Sequence, residues 1–281
     1  MRTQLRRLRF GLSTILGIAE RGFFIPYRYA GGIARADRSA PYPELERIVQ
    51  DAEPAFAELL DEIALHATAI RGIAGGRPPE PRFEQDWFPR FDAVAAYALV
   101  RKLRPRRIVE IGSGHSTRFM ARAVRDGSLR TAITAIDPSP RADIAGLGVA
   151  TIRSTVQAAG AAAFVDLARG DILFIDSSHI LMPGSDVDFL LGRVLPALPA
   201  GVHVHFHDIF LPDGYPETWL WRGYNEQTAV AALLQGSYRL RWSSRYVATR
   251  MAPALKGHFA TRLPFPEGAF ETSLWLVKER G

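Results

Sequence analysis

The chain has no cysteine among its 281 residues. A disulfide framework, a thiolate zinc site and a cysteine nucleophile are therefore excluded, and a reducing cytoplasm fits. Lysine is almost missing, 3 against 32 arginines, a bias of GC-rich bacterial genomes. No uninterrupted apolar run approaches the roughly 20 residues that a membrane-spanning helix needs. Internal repeats and low-complexity tracts are also missing. What is present is 47% hydrophobic and 23% charged residues, enough apolar material for a core and too much for wholesale disorder. The length suits one large α/β domain with an extension.

Charge is unevenly placed. Thirty-five basic and 29 acidic residues give +6, and residues 1–40 alone hold eight arginines against Glu20 and Asp37, also +6. The other 241 residues are therefore neutral, 27 against 27. A nucleic-acid footprint needs a basic face on the fold itself, so no nucleic-acid partner is expected.

Leu5, Leu8, Leu12, Ile15, Leu16 and Ala19 recur at helical spacing, with Arg2, Arg6 and Arg9 mostly off that stripe. Such a basic amphipathic arm, residues 1–40, suits two partners. One is an anionic membrane surface, reached through residues 1–30 at the inner face of the membrane. The other is protein, either the chain's own body or a twin subunit in a homodimer. A signal peptide fits poorly, because the apolar stretch 10–19 is short and Ile18-Ala19-Glu20 is no clear cleavage site. Residues 41–81 form a helical segment and linker. Its helix, 43–73, opens at Pro43 and is kinked or split at Pro54, and the loop Gly75-Gly76-Arg77-Pro78-Pro79-Glu80-Pro81 marks the boundary before a domain over 82–281. His66 lies on this helix without a polar cluster around it and is read as a surface or core residue.

From residue 91 helices and strands alternate. Helices are expected over 91–103, 116–125, 156–167 and 186–195, and strands over 107–111, 131–136, 150–153, 171–175 and 201–207. This alternation implies a parallel sheet covered on both faces, with ligands outside the carboxyl ends of the strands. The residues just past those ends are polar: Glu110, Asp137, Asp176 with His179, and His207 with Asp208.

Gly112-Ser113-Gly114 follows a strand and opens a helix, where glycines permit a tight turn and close approach of a ligand. Asp137 ends the next strand, placed to accept both ribose hydroxyls of an adenosine. Nicotinamide dehydrogenases share this much. Two details separate them: the third glycine of a dinucleotide turn is replaced by Thr117, and Glu110 before the turn would repel a pyrophosphate and attract an ammonium-bearing sulfonium. Val109-Glu110-Ile111-Gly112-Ser113-Gly114 with Ala135-Ile136-Asp137, and Asp171–Ile175 running into Asp176-Ser177-Ser178-His179, resemble the motifs of class I S-adenosylmethionine-dependent methyltransferases. Within them the nearest likeness is the methyltransferase-24-like O-methyltransferase group, over about residues 85–210. The resemblance implies a Rossmann-like, doubly wound, mostly parallel seven-stranded sheet with the N-terminal helical extension. It also implies adenosylmethionine as cofactor, held by Glu110, Gly112, Ser113, Gly114, His115, Asp137 and Asp176, with Ser154 to Gln157 near the adenine.

Methyl transfer to a hydroxyl needs a proton acceptor or a cation that acidifies the hydroxyl. By the same resemblance Asp176 and His179 are the catalytic pair, with His179 the base, and Asp176, His207 and Asp208 are the candidate metal ligands. A histidine in that set weakens magnesium, which prefers oxygen donors, and points toward manganese, iron or zinc. His203, His205 and His207 share one strand face; His203 is read as an interior residue, while His205 and His115 are left between structural and ligand-facing roles. The aromatic segment 209–226 is expected as a lid, with Asp86-Trp87-Phe88 facing the same pocket, and Arg239–Ser243 with Thr272–Val277 as a closing antiparallel pair. The expected function is O-methylation of a small-molecule, sugar or lipid-linked hydroxyl. Two alternatives stay open at this point: an NAD-dependent oxidoreductase, and a membrane-recruited, non-catalytic adenosylmethionine-binding protein.

Overall fold

The computed structural model describes residues 2–34, 36–73 and 75–280; Met1, Arg35, Ala74 and Gly281 lie outside the described residues. The chain divides into two compact units, residues 1–38 and 39–281.

The first unit is built on α1 (Arg2–Ile15). Its C-terminus is closed by Gly17 at φ +66°, which lets the Ile18 amide reach the Ser13 carbonyl and the Gly17 amide the Thr14 carbonyl. That pair of bonds is the usual glycine-dependent stop of a helix.

In the second unit, strands β1 (Arg107–Ile111), β2 (Ala132–Ile136), β3 (Ala150–Ile152), β4 (Ile172–Ile175), β5 (His203–Phe206), β6 (Tyr238–Ser243) and β7 (Leu274–Lys278) form one sheet in the order β3-β2-β1-β4-β5-β7-β6. The first five pair in parallel, and β7 runs against both of its neighbours. β4 is buried at every position, as its Ile-Leu-Phe-Ile run requires in a sheet covered on both faces. The mostly parallel seven-stranded sheet and its antiparallel close are thus as expected. The strand order reverses between β1 and β4, and the crevice outside their carboxyl ends is where such sheets take ligands.

The segment before the sheet folds as α2 (Pro43–Gln50), α3 (Glu53–Leu65) and α4 (Ala67–Arg71). Pro54 stands in the first turn of α3, where its missing amide costs nothing, so the helix is split. Phe56 of α3 is fully buried against Trp242 of β6 and Tyr246. α5 (Arg90–Leu103) and α6 (His115–Asp126) follow the expected limits within a residue. The helix expected over 156–167 is shorter: α7 (Val156–Ala159) stops at Gly160, whose φ of +75° breaks the helix, and a 3-10 turn follows. Residues 186–197 instead form a longer helical stretch, α8 (Asp186–Phe189), a π-helical segment and α9 (Leu195–Ala197). Among the described residues no helix is long and apolar enough to cross a membrane.

Candidate active site

Ladder bonds continue one step past the strand ends. Gly112 N donates to Ile136 O, Asp137 N to Ile152 O, Asp176 N to Ile111 O and His207 N to Ile175 O, each at 3.0 Å. The register therefore lines up Gly112, Asp137, Asp176 and His207 along the carboxyl edge. A cavity of about 1100 Å³ opens over that edge, and these four residues lie on its wall with Ser113, Gly114, His115, His179 and Asp208.

At the β1 end, Gly112 turns at φ +87°, and a Cβ there would collide with the Asp176 carbonyl oxygen. Only glycine lets β1 turn so close to β4. Asp137 is held in place by Ser113 Oγ, which donates at 2.8 Å, and by the Ser139 amide at 2.7 Å. Glu110 differs from the sequence expectation. Its carboxylate is fully buried and is not on the cavity wall. Ser116 Oγ donates to one oxygen at 2.5 Å and Thr117 Oγ1 to the other at 2.6 Å, while Thr117 Oγ1 accepts the Gly114 amide at 2.9 Å. Burial pushes the Glu110 carboxyl up to about 8, against the pull of these two hydroxyls. It braces the turn from behind. His115 lies on the wall with Nδ1 buried and unpartnered, as does Ser177 with its Oγ. Burial, with Arg118 and Arg82 nearby, holds the His115 ring down to about 4, so it is neutral near pH 7.

At the β4–β5 end the titratable groups interlock. His179 Nε2 lies 3.4 Å from Asp176 Oδ1 and 3.4 Å from Asp208 Oδ2. His207 Nδ1 lies 3.6 Å from Asp176 Oδ1 and 3.5 Å from Asp208 Oδ1. The far side of each ring is held by another carboxylate: Glu226 meets His179 Nδ1 at 2.9 Å and Asp92 meets His207 Nε2 at 3.3 Å. Burial disfavours charge on both imidazoles, but Asp208, Asp176 and Glu226 raise His179 well above the ordinary value, and Asp176, Asp208 and Asp92 do the same for His207. Burial likewise opposes ionisation of Asp176, yet His207 and His179 hold its carboxyl well below the usual range. His179 and Asp208 both sit at positive φ, +60° and +55°. Backbone strain at two non-glycine residues facing each other across a cavity is a mark of a functional site.

Asp92 and Glu226 were not anticipated. Asp92 opens α5 and accepts the amides of Thr272 and Ser273 at 2.9–3.1 Å; in sequence it looks like an ordinary acid in a helix's first turn. Glu226 opens α10 (Glu226–Leu233), at the end of the aromatic segment. The only signal in sequence was that each is an acid on an otherwise buried helix face. His205 is fully buried, with Nε2 2.8 Å from Ser273 Oγ and its ring stacked 3.6 Å from Phe174, so its role is packing. His203 is half-buried, held down to about 4 by burial and Arg241, and His66 pairs with Glu62. The segment 209–226 does reach the cavity: Trp219, Arg222 and Tyr224 line it, and the Tyr224 ring lies 4.7 Å from His179. Asp86, Trp87 and Phe88 also line the cavity, as do Thr155, Val156 and Gln157.

A histidine among three candidate donors suits magnesium poorly, because that ion prefers oxygen ligands. Asp176, His207 and Asp208 are adjacent, but their facing atoms pair with one another and with His179. Binding of a softer cation there would be coupled to release of protons from the imidazoles. Among the described residues no group of three or more His, Asp or Glu is arranged to hold a metal. In this structure Asp176, His207 and Asp208 are joined with His179 in an ion-pair network.

Residues 109–209 match the model described as a methyltransferase domain, about a third of the chain. No curated protein matches. Among solved structures, the chain is similar to a methyltransferase of Podospora anserina bound to SAH, with 15% identity, 92% of this chain and 99% of that one covered, and a TM-score of 0.42. It is similar to an O-methyltransferase from Bacillus cereus in complex with SAH, with 14% identity, coverage of 79% and 91%, and a TM-score of 0.41. The plantazolicin methyltransferase BpumL with SAH gives 16%, 83% and 100%, and 0.40.

Proposed function

We propose, from the premise that residues 109–209 form a methyltransferase domain, that this enzyme moves a methyl group from adenosylmethionine to a hydroxyl of a small or lipid-linked acceptor. The observation that carries the oxygen reading is His179, whose Nδ1 is fixed by buried Glu226 and whose Nε2 faces the cavity between two carboxylates. The cofactor's chemistry fits the residues at the other end. Gly112 and Gly114 leave the turn open, Asp137 offers carboxylate oxygens to a ribose, and the orphaned His115 Nδ1 and Ser177 Oγ wait for polar partners.

Bound there, the cofactor supplies an electrophilic methyl group, and its positive charge opposes the second proton on His179. Glu226 keeps the Nδ1 proton in place, so the neutral ring presents Nε2 as acceptor. The acceptor hydroxyl would give its proton to Nε2 as its oxygen takes the methyl group, the methyl–sulfur bond breaking to leave the neutral thioether adenosylhomocysteine, and Asp176 and Asp208 would stabilise the imidazolium that results. Tyr224, Trp219 and Phe88 shield the reacting groups from water. Glu110 acts only through the turn it braces. The nicotinamide reading loses its footing, because Thr117, in the place of its third glycine, is committed to Glu110.

Calorimetric titration with adenosylmethionine tests the cofactor assignment. Binding to wild type that falls at least about tenfold in Asp137→Ala, the scale of a lost charge-assisted pair of hydrogen bonds, is expected. No binding, or unaltered binding in the variant, rejects it.

A further inference from the structure

The N-terminal unit carries an apolar surface that the methyl-transfer reading does not use. On α1, Leu5, Leu8, Leu12 and Ile15 stand on one face and are 49–61% exposed. Beyond the helix Leu16, Ile18, Phe23, Phe24 and Ile25 are 60–75% exposed. Isolated exposed apolar residues are ordinary, but a continuous run of this size on one short unit marks a docking surface. The helix itself is well made. Its last carbonyls are satisfied by the Gly17 turn, Ser13 Oγ donates to Ala19 O, and Thr14 Oγ1 accepts the Arg21 amide. The apolar face is therefore a property of a finished local structure.

Charge chooses the occupant. All of the chain's net +6 lies in residues 1–40, and every one of those positive charges is arginine. On the helical wheel Arg9 borders the apolar face and Arg6 lies on the polar side beside Phe10, so long side chains can keep their guanidinium groups at a polar interface while the leucines go deeper. A second copy of the arm would bring like charges together, and a nucleic acid would leave the leucines and phenylalanines unused. We propose that this arm docks the protein on the surface of an anionic lipid bilayer, lying in the interface without crossing it. The exposed Tyr27 and Tyr29 suit the headgroup level.

The test is co-sedimentation of the full chain with vesicles of phosphatidylcholine alone and of phosphatidylcholine with phosphatidylglycerol. Binding on the order of tenfold stronger to the anionic vesicles, weakening as salt rises, is expected. Leu8→Glu with Leu12→Glu should abolish it without moving the melting temperature of the body. Arg6→Gln with Arg9→Gln should leave weak binding and reduce the preference for anionic lipid. Equal binding to both vesicles, no binding, or an arm-dependent dimer that ignores vesicles overturns the proposal. None of these outcomes depends on whether adenosylmethionine binds.

Discussion

The two ends of the cavity are built in different ways. At the β1 end, the groups that hold Glu110 are its own near neighbours, six and seven residues along the chain, and the turn is shaped by glycine. At the β4–β5 end, His179 is held by a residue 47 positions away and His207 by one 115 positions away. The brace around Glu110 is a local motif, formed by β1 and α6 alone. The β4–β5 end exists only when α5, β4, β5 and α10 have all docked. A cradle that must bind a common cofactor can be local. A proton-transfer group whose ionisation must be set needs carboxylates from several directions at once.

The contrast breaks first at His179. His179→Gln should lower kcat by about 10² to 10⁴, the usual worth of a positioned base, while adenosylhomocysteine affinity stays within about twofold, well inside the RT scale of a single lost contact. Because surrounding carboxylates raise the His179 pKa, the neutral, active ring is favoured only at higher pH. The wild-type rate should rise with pH through an apparent value above that of free imidazole, and the variant should lose that limb. A flat wild-type profile would remove His179 as the base.

Gly112→Ala joins the two ends, since its Cβ meets the Asp176 carbonyl. It should cost a few kcal/mol, the scale of strain at a positive-φ site, and lower the melting temperature together with cofactor affinity. Loss of affinity at full stability would mean that the turn is not clamped to β4.

Glu110→Gln sharpens the difference. The folded Glu110 carboxyl is raised to about 8 from 4.5, so its contribution to stability is whole below the lower value and is lost as pH rises through the upper one. The cofactor-free variant should therefore gain on wild type as pH rises across that window, by on the order of 5 kcal/mol, measured by denaturant titration. A constant difference would place the carboxylate in water.

The smallest effect belongs to metal removal. With the facing atoms of the cluster already paired, dialysis against a chelator should leave turnover unchanged, and elemental analysis of the purified protein should find no stoichiometric metal. Activity that vanishes and returns with one divalent cation would replace the base by metal assistance.

The alternating strands and helices, the Gly112 turn with Asp137, the Pro54 split and the pairing of β6 with β7 were readable from residue order, because each follows from periodicity or from the backbone freedom of one residue. The helix over 156–167 was overrun because its alanines outweigh one glycine in any propensity count. Only the fold reveals that Gly160 adopts a positive φ there. Glu110 was expected to face the ligand. Its place in an alternating strand made it equally able to turn inward, where Ser116 and Thr117 complete it.

Asp176, His179, His207 and Asp208 announce themselves in the chain as polar residues after buried strands, and residue order alone brings them to one edge of the sheet. Their ionisation, their pairing and their partners Asp92 and Glu226 were settled by docking. A charge buried at one strand end takes its energy from whatever distant group packs against it, and that neighbour is not written in local sequence.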